Sequence, residues 1–427
     1  HDLITILTMK ITFVNHSSFI IDYKKIRLVC DPWMEGTAFN NGWGLLSKTQ
    51  LQYEDFKDIT HIWFSHEHPD HFSPPNMFKI PQEYRSKITV LYQETVDEKV
   101  IEFCKKLEFK EQIELKANQP HTIFEDLTIM CNPYTEGDSY AVFQTNKHKI
   151  LNLNDCLIRT QEDAEELAKV TGEVDVLFSQ FGYSKKVGNI DGVTLREEAS
   201  QEKLERFRFQ SEFLKPKVIV PFATFVYFCH EENRYNNVGM KRIDAVASFI
   251  ENEMDVKCNV LYPNDTWDMN EAWDSKNSVA KYMKDYAALE TIEYIKAPKI
   301  ELVKVIEQSK VLAKTISENY PQFKEELSEM DANVYITDYD KSFRFSVPDG
   351  LVEADIKYDF CDVATGSECL FYGFKHLWGI DTMNINARFQ VPKCGYYPKF
   401  KIFGDMASCL NRGEPLEKLE VTNFIIT

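Results

Sequence analysis

The stretch Ser65-His66-Glu67-His68-Pro69-Asp70-His71-Phe72 sets three histidines and an aspartate within six residues. It follows the apolar run His61-Ile62-Trp63-Phe64, which reads as a short strand. The cluster therefore falls where a strand ends and a loop begins. Residues i and i+2 of an extended backbone point the same way, so His66 and His68 can hold one ion between them. Asp70 and His71 do not share that face and suit a second ion close by. Pro69, with its fixed φ, stiffens the turn between the two pairs. A single histidine at a strand end is ordinarily a surface or core residue. Four ligand-type side chains spaced His-x-His-x-Asp-His point instead to metal. Imidazole suits Zn, Fe, Cu and Ni, and each added carboxylate moves the preference toward harder ions.

The flanking sequence reads as a layered α/β fold. Residues 9–30 give three strands, 9–14, 19–23 and 26–30. A long loop with Gly36, Asn40, Asn41, Gly42, Trp33 and Trp43 follows. It is either a functional loop or a connector whose tryptophans pack on the sheet. Strand and helix then alternate: a helix near Pro74–Phe78, a strand at 88–92 and helical periodicity over 96–107. Further strands are expected at 127–131, 140–144, 150–155, 174–181 and 218–223, with a charged helix over 197–214. Asp155 ends the strand 150–155, where a carboxylate is costly unless paired or metal-bound, or else caps the next helix. Residues 275–330 look helical and charged. From Ala332 onward the pattern turns strand-rich, with helical stretches around 369–377 and 406–410. This divides the chain into a metal domain over 9–272 and a smaller C-terminal α+β domain over 273–427, a packing or dimerisation module. Residues 1–8 read as a cloning remnant or an upstream extension.

The metal loop resembles the signature of the metallo-β-lactamase superfamily. The resemblance implies an αβ/βα sandwich with a mono- or dinuclear site at one edge. It also implies that Asp155 bridges two metals. His230, seven residues after the strand 218–223, would be the last ligand, completing the second ion with Asp70 and His71. The superfamily's third histidine for the first ion is missing. The corresponding segment reads Asn132-Pro133-Tyr134-Thr135-Glu136-Gly137-Asp138. Tyr134 occupies that slot, with Glu136 and Asp138 near it, so the first ion is expected to have His66, His68, Asp155 and Glu136. A set richer in carboxylate and poorer in imidazole suits iron or manganese better than zinc. This also resembles the diiron β-hydroxylases of antibiotic synthesis.

Several blocks further resemble the catalytic region of the CMP-N-acetylneuraminate hydroxylase family. They are Asn15-His16-Ser17-Ser18-Phe19, Asp31-Pro32-Trp33, Gly36 to Phe39 with Gly42-Trp43, the metal loop, His148 to Asn152 with Asp155-Cys156, and Pro221-Phe222-Ala223 through to His230. The block Cys369 to Phe389 resembles that family's C-terminal region. The resemblance implies a diiron, oxygen-activating site. That family also carries a Rieske cluster needing two Cys and two His. No Cys-x-His pair occurs here, so electrons are expected from a separate donor.

The expectation is a dinuclear, iron-dependent oxygenase or hydroxylase of a small polar substrate, using O2. His16 and the loop 33–44 would hold the substrate, and Tyr134 would donate a hydrogen bond over the metals. The same ligands also serve a zinc or manganese hydrolase of a phosphodiester, lactone or amide. A non-enzymatic scaffold would not require the ligand set. A net charge of −18 argues against nucleic acid as a partner. No apolar run reaches the ~20 residues of a membrane span, and no secretion signal is evident. Ten scattered cysteines without a C-x-x-C pair then suit free thiols in a reducing cytoplasm.

Overall fold

The structure, a computed structural model, describes residues 8–419 without the side chain of Glu136. Two seven-stranded sheets face one another. The first runs, in spatial order, Thr266–Asp268, Lys10–Asn15, Ser18–Tyr23, Ile26–Cys30, His61–Trp63, Thr89–Gln93 and Glu111–Leu115. The second runs Lys257–Cys258, Val218–Phe222, Val176–Gln180, Lys149–Asn152, Ser139–Gln144, Leu127–Pro133 and His121–Phe124.

Strand periodicity creates the layers. Along Ser18–Tyr23, Phe19 and Ile21 enter the core between the sheets, while Ile20 joins an outer core. The period of two puts alternate residues on opposite faces. Phe19 stacks on Phe178 across the sheets at 4.1 Å between ring centroids. On the outer face of the first sheet, Met77 and Val100, Ile101 and Cys104 bring in the helices Pro74–Lys79 and Lys99–Lys106. On the outer face of the second, Leu167, Leu204, Phe207, Val246 and Ile250 bring in Gln161–Thr171, Val193–Leu214 and Ile243–Met254. The result is a helix–sheet–sheet–helix sandwich, as the sequence led one to expect.

Ile26–Cys30, His61–Trp63 and Thr89–Gln93 are mutually parallel, as are Lys149–Asn152, Val176–Gln180 and Val218–Phe222. Their carboxyl ends lie at one edge of the sandwich, where loops carrying polar residues converge. The loop expected after Trp33 holds two short strands, Thr37–Ala38 and Trp43–Leu45. The second pairs with Val226–Phe228. That hairpin is invisible to periodicity because its pairing partner lies far along the chain.

A second core gathers around the sheet Gly350–Glu353, Lys341–Ser346, Asp331–Ile336, Val363–Thr365 and Phe389–Gln390. The helices Leu302–Asn319, Ser367–Lys375 and Pro398–Arg412 supply its other apolar side chains. Tyr282, on the helix Lys276–Ala288, belongs instead to the first core and stacks on Phe225 at 4.1 Å. Residues 384–391 run against the loops that border the metal loop. Asn233 Nδ2 donates to the carbonyls of Asn386 and Gly42, and Lys186 N donates to the Asn384 carbonyl. A Cβ at Gly42 would overlap the Cβ of Asn386, so only glycine permits that approach.

Candidate metal centre

The metal loop begins as the strand His61–Trp63 ends, and its backbone curls back on itself. His71 N and Phe72 N both donate to the His68 carbonyl, at 3.0 and 2.7 Å. The curl turns His66, His68, Asp70 and His71 toward a common centre. Gln93 Nε2 and Ser139 Oγ donate to the Ser65 carbonyl at 3.1 and 2.5 Å and fix where the loop starts.

Three groups of ligand atoms result, each lying within 4.8 Å of one another: His66, His68 and Asp138; His66, His71 and Asp155; and His16, Asp70 and His71. His66 Nε2 is 3.5 Å from Asp138 Oδ1 and 3.8 Å from Asp155 Oδ2. His71 Nε2 is 3.4 Å from both Asp70 Oδ2 and Asp155 Oδ2. His66 and His71 thus link the three groups into one chain, with Asp155 between them. Asp155 lies three residues beyond the strand Lys149–Asn152 rather than ending it, and its Oδ1 accepts from Gln180 Nε2 at 3.0 Å.

Electrostatics shape the cluster. Burial, with the neighbouring charges of His71 and His68, holds His66 well below the usual imidazole range. Burial acts on His71 in the same sense, but Asp70, Asp155 and Asp31 outweigh it and push His71 well up. Burial would raise Asp70, and the facing His71 and His16 instead hold its carboxyl well below the usual range.

Two residues do not go where the sequence placed them. Tyr134 turns its hydroxyl to the Leu157 carbonyl at 2.9 Å and packs its ring against the main core, away from the ligand atoms. His230 enters none of the three groups. The chain leaving Val218–Phe222 first pairs as Val226–Phe228 with Trp43–Leu45, and His230 then bridges to Ile295. Its Nδ1 lies 3.6 Å from Glu232 Oε2. The place beside Asp70 and His71 is taken by His16, whose Nε2 lies 3.1 Å from Asp70 Oδ2. His16 adopts a positive φ of 44°, and its carbonyl accepts from Ala223 N at 2.8 Å, so the end of the late strand presents it. The side chain of Glu136 lies outside the described residues. Asp138, in the same turn, joins His66 and His68.

Sequence reasoning gave no role to Asp31. It sits fully buried just past the strand Ile26–Cys30 and accepts from Ser65 N at 2.7 Å and Ser65 Oγ at 2.6 Å. Its Oδ2 also lies 2.8 Å from His71 Nδ1. This pairing sets the ring so that Nε2 faces Asp70 and Asp155. The available signal was a carboxylate just past a buried strand, the one applied to Asp155. Above the cluster, Phe39 meets the His68 ring edge-on at 5.8 Å, and Trp33 meets His16 at 5.7 Å.

The residues present fit metal ions. His71 Nε2 is buried without a hydrogen-bond partner yet faces the carboxylates of Asp70 and Asp155, and Asp70 Oδ1 is likewise buried without one. Such orphaned groups are costly unless something binds them. The donors are imidazole and carboxylate throughout, a set for borderline to hard divalent ions.

The chain is similar to several known proteins. Residues 10–222 match the model of the beta-lactamase superfamily domain. The chain belongs to that superfamily. Among curated members, the cytidine monophosphate-N-acetylneuraminic acid hydroxylase of Cricetulus griseus is 25% identical over 245 residues, which cover 53% of this chain and 42% of that protein. A Rieske 2Fe-2S iron-sulfur protein of Mycolicibacterium smegmatis is 26% identical over 183 residues, covering 40% and 34%. The chain therefore spans less than half the length of either. Among solved structures, the diiron beta-hydroxylase CmlA from Streptomyces venezuelae aligns with a TM-score of 0.43 at 13% identity, covering 62% of this chain and 55% of that one. Among the described residues, no helix is long and apolar enough to cross a membrane.

Proposed function

We propose that the chain is a dinuclear, iron-dependent oxygenase acting on a small polar molecule, with electrons supplied by a redox donor. The observation that carries the reading is the ligand set itself. Where a third histidine would suit zinc, Asp138 stands beside His66 and His68, and Asp155 lies between the two ends of the cluster. His66, His68, Asp138 and Asp155 would hold one ion. Asp155, Asp70, His71 and His16 would hold the other. The similarity to hydroxylases over half the chain supports oxidation over hydrolysis.

Bound iron would supply the redox chemistry with O2. The chain's own groups do the rest. Asp31 holds His71 in one orientation, and Gln180 holds Asp155 by its outer oxygen. Trp33, Phe39 and Trp43 form an apolar wall that keeps water from the His16 and His68 side. Exclusion of water strengthens every charge interaction inside.

The test is metal content after growth with added iron, read together with the visible spectrum before and after dithionite and then air. About two irons per chain with a reversible spectral change is the expected result. Zinc or manganese without a redox response would replace this reading with hydrolysis, and a phosphodiester and lactone panel would follow.

A further inference from the structure

The three groups of ligand atoms are not equally covered. His16, Asp70 and His71 are all buried, none more than 1% exposed. In the middle group His66 and His71 are buried, and the Asp155 side chain is 17% exposed. In the third group only His66 is buried; His68 is half-buried and the Asp138 side chain is 13% exposed. Exposure therefore rises along the cluster from His16 to Asp138.

The chain closes the His16 end in two steps. His16 sits in the turn between Lys10–Asn15 and Ser18–Tyr23, and Trp33 and Trp43 stand edge-on to its ring at 5.7 and 6.5 Å. Both indoles are buried. They pack with Val226 and Phe228, from the strand paired to Trp43–Leu45, and with Ala387 of the C-terminal segment. The backbone before Trp43 is strained. Phe39, Asn40 and Asn41 take φ of 56°, 54° and 56°, three left-handed residues in succession. Such conformations persist only where the surroundings over-determine them. Here Arg388 Nη1 donates to the Asn40 carbonyl at 2.9 Å, Cys229 Sγ to the Asn41 carbonyl at 3.2 Å and Cys229 N to the Gly42 carbonyl at 3.1 Å. The hairpin is a clamped wall.

The wall ends at His68. Phe39 meets one edge of that ring, and beyond it the protein opens. Thr135 and Gly137, in the turn before Asp138, are exposed. A Cβ at Gly137 would meet nothing within 4 Å among the described residues.

We propose that small molecules, the substrate included, reach the cluster only past His68 and Asp138, while Trp33 and Trp43 seal the ion held by His16, Asp70 and His71. The proposal rests on the two-ion reading of the site and not on which metal fills it. The tryptophans are positioning residues, acting through the His16 ring that they cover. A sealed ion leaves only when the wall opens locally, whereas an ion at the open end exchanges directly with solvent.

Release of metal from the purified, loaded protein to 4-(2-pyridylazo)resorcinol, followed by absorbance in a stopped flow, tests this with whichever metal the protein holds. Elemental analysis first establishes two ions per chain. Release is expected in two phases of equal amplitude, the second at least about tenfold slower because it requires local opening. Trp43→Ala should speed the slow phase at least about tenfold and leave the fast phase as in the parent. Trp43→Phe, which keeps a smaller ring in the wall, should speed it several-fold and covers the case in which Trp43→Ala does not fold. Asp138→Asn should speed or abolish the fast phase and spare the slow one. A general loosening of the fold would move both phases together, so the split separates sealing from mere support. The proposal is overturned if both ions leave in one phase, if the Trp43 variants that fold release metal like the parent, if they speed both phases alike, or if Asp138→Asn removes the slow phase. One ion per chain overturns the two-ion reading and the proposal with it. Failure with two ions present leaves the oxygenase reading standing, and the dithionite and air response of the same samples reports on that separately.

Discussion

Asp31 Oδ2 lies 2.8 Å from His71 Nδ1, and both residues are fully shielded from solvent. Neither belongs to the other's stretch of chain. The contact exists because Ile26–Cys30 and His61–Trp63 are parallel neighbours, so the residues just past their ends meet. The pairing leaves only His71 Nε2 for the cluster and makes that nitrogen a better donor to metal. Asp31→Asn is expected to lower affinity for the second ion by about 10–100-fold with little change in fold. Metal content after dialysis against a graded chelator, with a circular dichroism control, checks it. Retention equal to the parent's would show that Asp31 serves only to anchor Ser65.

Tyr134 was expected over the metals, and the structure gives its hydroxyl to the Leu157 carbonyl. Tyr134→Phe should therefore cost about 1 kcal/mol of stability, the usual worth of one such bond. It should leave metal content unchanged. Urea denaturation and elemental analysis on the same preparation separate the two effects. Loss of metal without loss of stability would return Tyr134 to the centre.

Arg388 ties the C-terminal segment to the hairpin above the metals. It meets Glu232 and Glu368 and donates to the Asn40 carbonyl at 2.9 Å. Arg388→Met leaves the partly buried carboxylates of Glu232 and Glu368 without their cation and should destabilise by about 1.5–3 kcal/mol. The hairpin over 36–45 should exchange its amide hydrogens faster than in the parent. Hydrogen exchange read by mass spectrometry decides this, and unchanged protection there would show that Asn233 and the Gly42–Asn386 contact suffice.

His61 gives a pH dependence remote from the cluster. Burial, with Lys110 and His121 nearby, lowers its pKa from 6.5 to about 4. The unfolded chain then binds more protons than the folded one between those values, so stability rises with pH across that window. It is lost as pH falls from 6.5 toward 4, by at most about 3 kcal/mol. His61→Gln should flatten this part of the curve. Chemical denaturation at half-unit steps from pH 4 to 7 shows it, and parallel curves for the two proteins would remove His61 as the cause.

Much of this molecule is legible along the chain because its signals are local. Period-two alternation at 19–21 and helical periodicity at 99–106 depend on near neighbours alone, and both appear in the structure. The metal loop is local too, since six consecutive residues contain three histidines and an aspartate at ligand spacing. Asp155 stood out because a carboxylate at the end of a buried strand demands a partner, and the superfamily resemblance made that partner metal.

What the chain could not show is which distant residue completes each group. His230 follows the late strand in sequence, but the backbone spends the intervening residues pairing with Trp43–Leu45 and carries it away. His16, from the opposite end of the domain, meets Asp70 from the turn of a paired hairpin, with its carbonyl accepting from Ala223 N. Lys203 looked like one more charge on a charged helix until packing turned its face inward. Ligand type and the first four donors are properties of short segments, fixed by spacing and side-chain chemistry. The third carboxylate at Asp138 and the buttress at Asp31 arise only where loops from non-adjacent strands converge, and pairing across the sheets alone decides which side chains meet there.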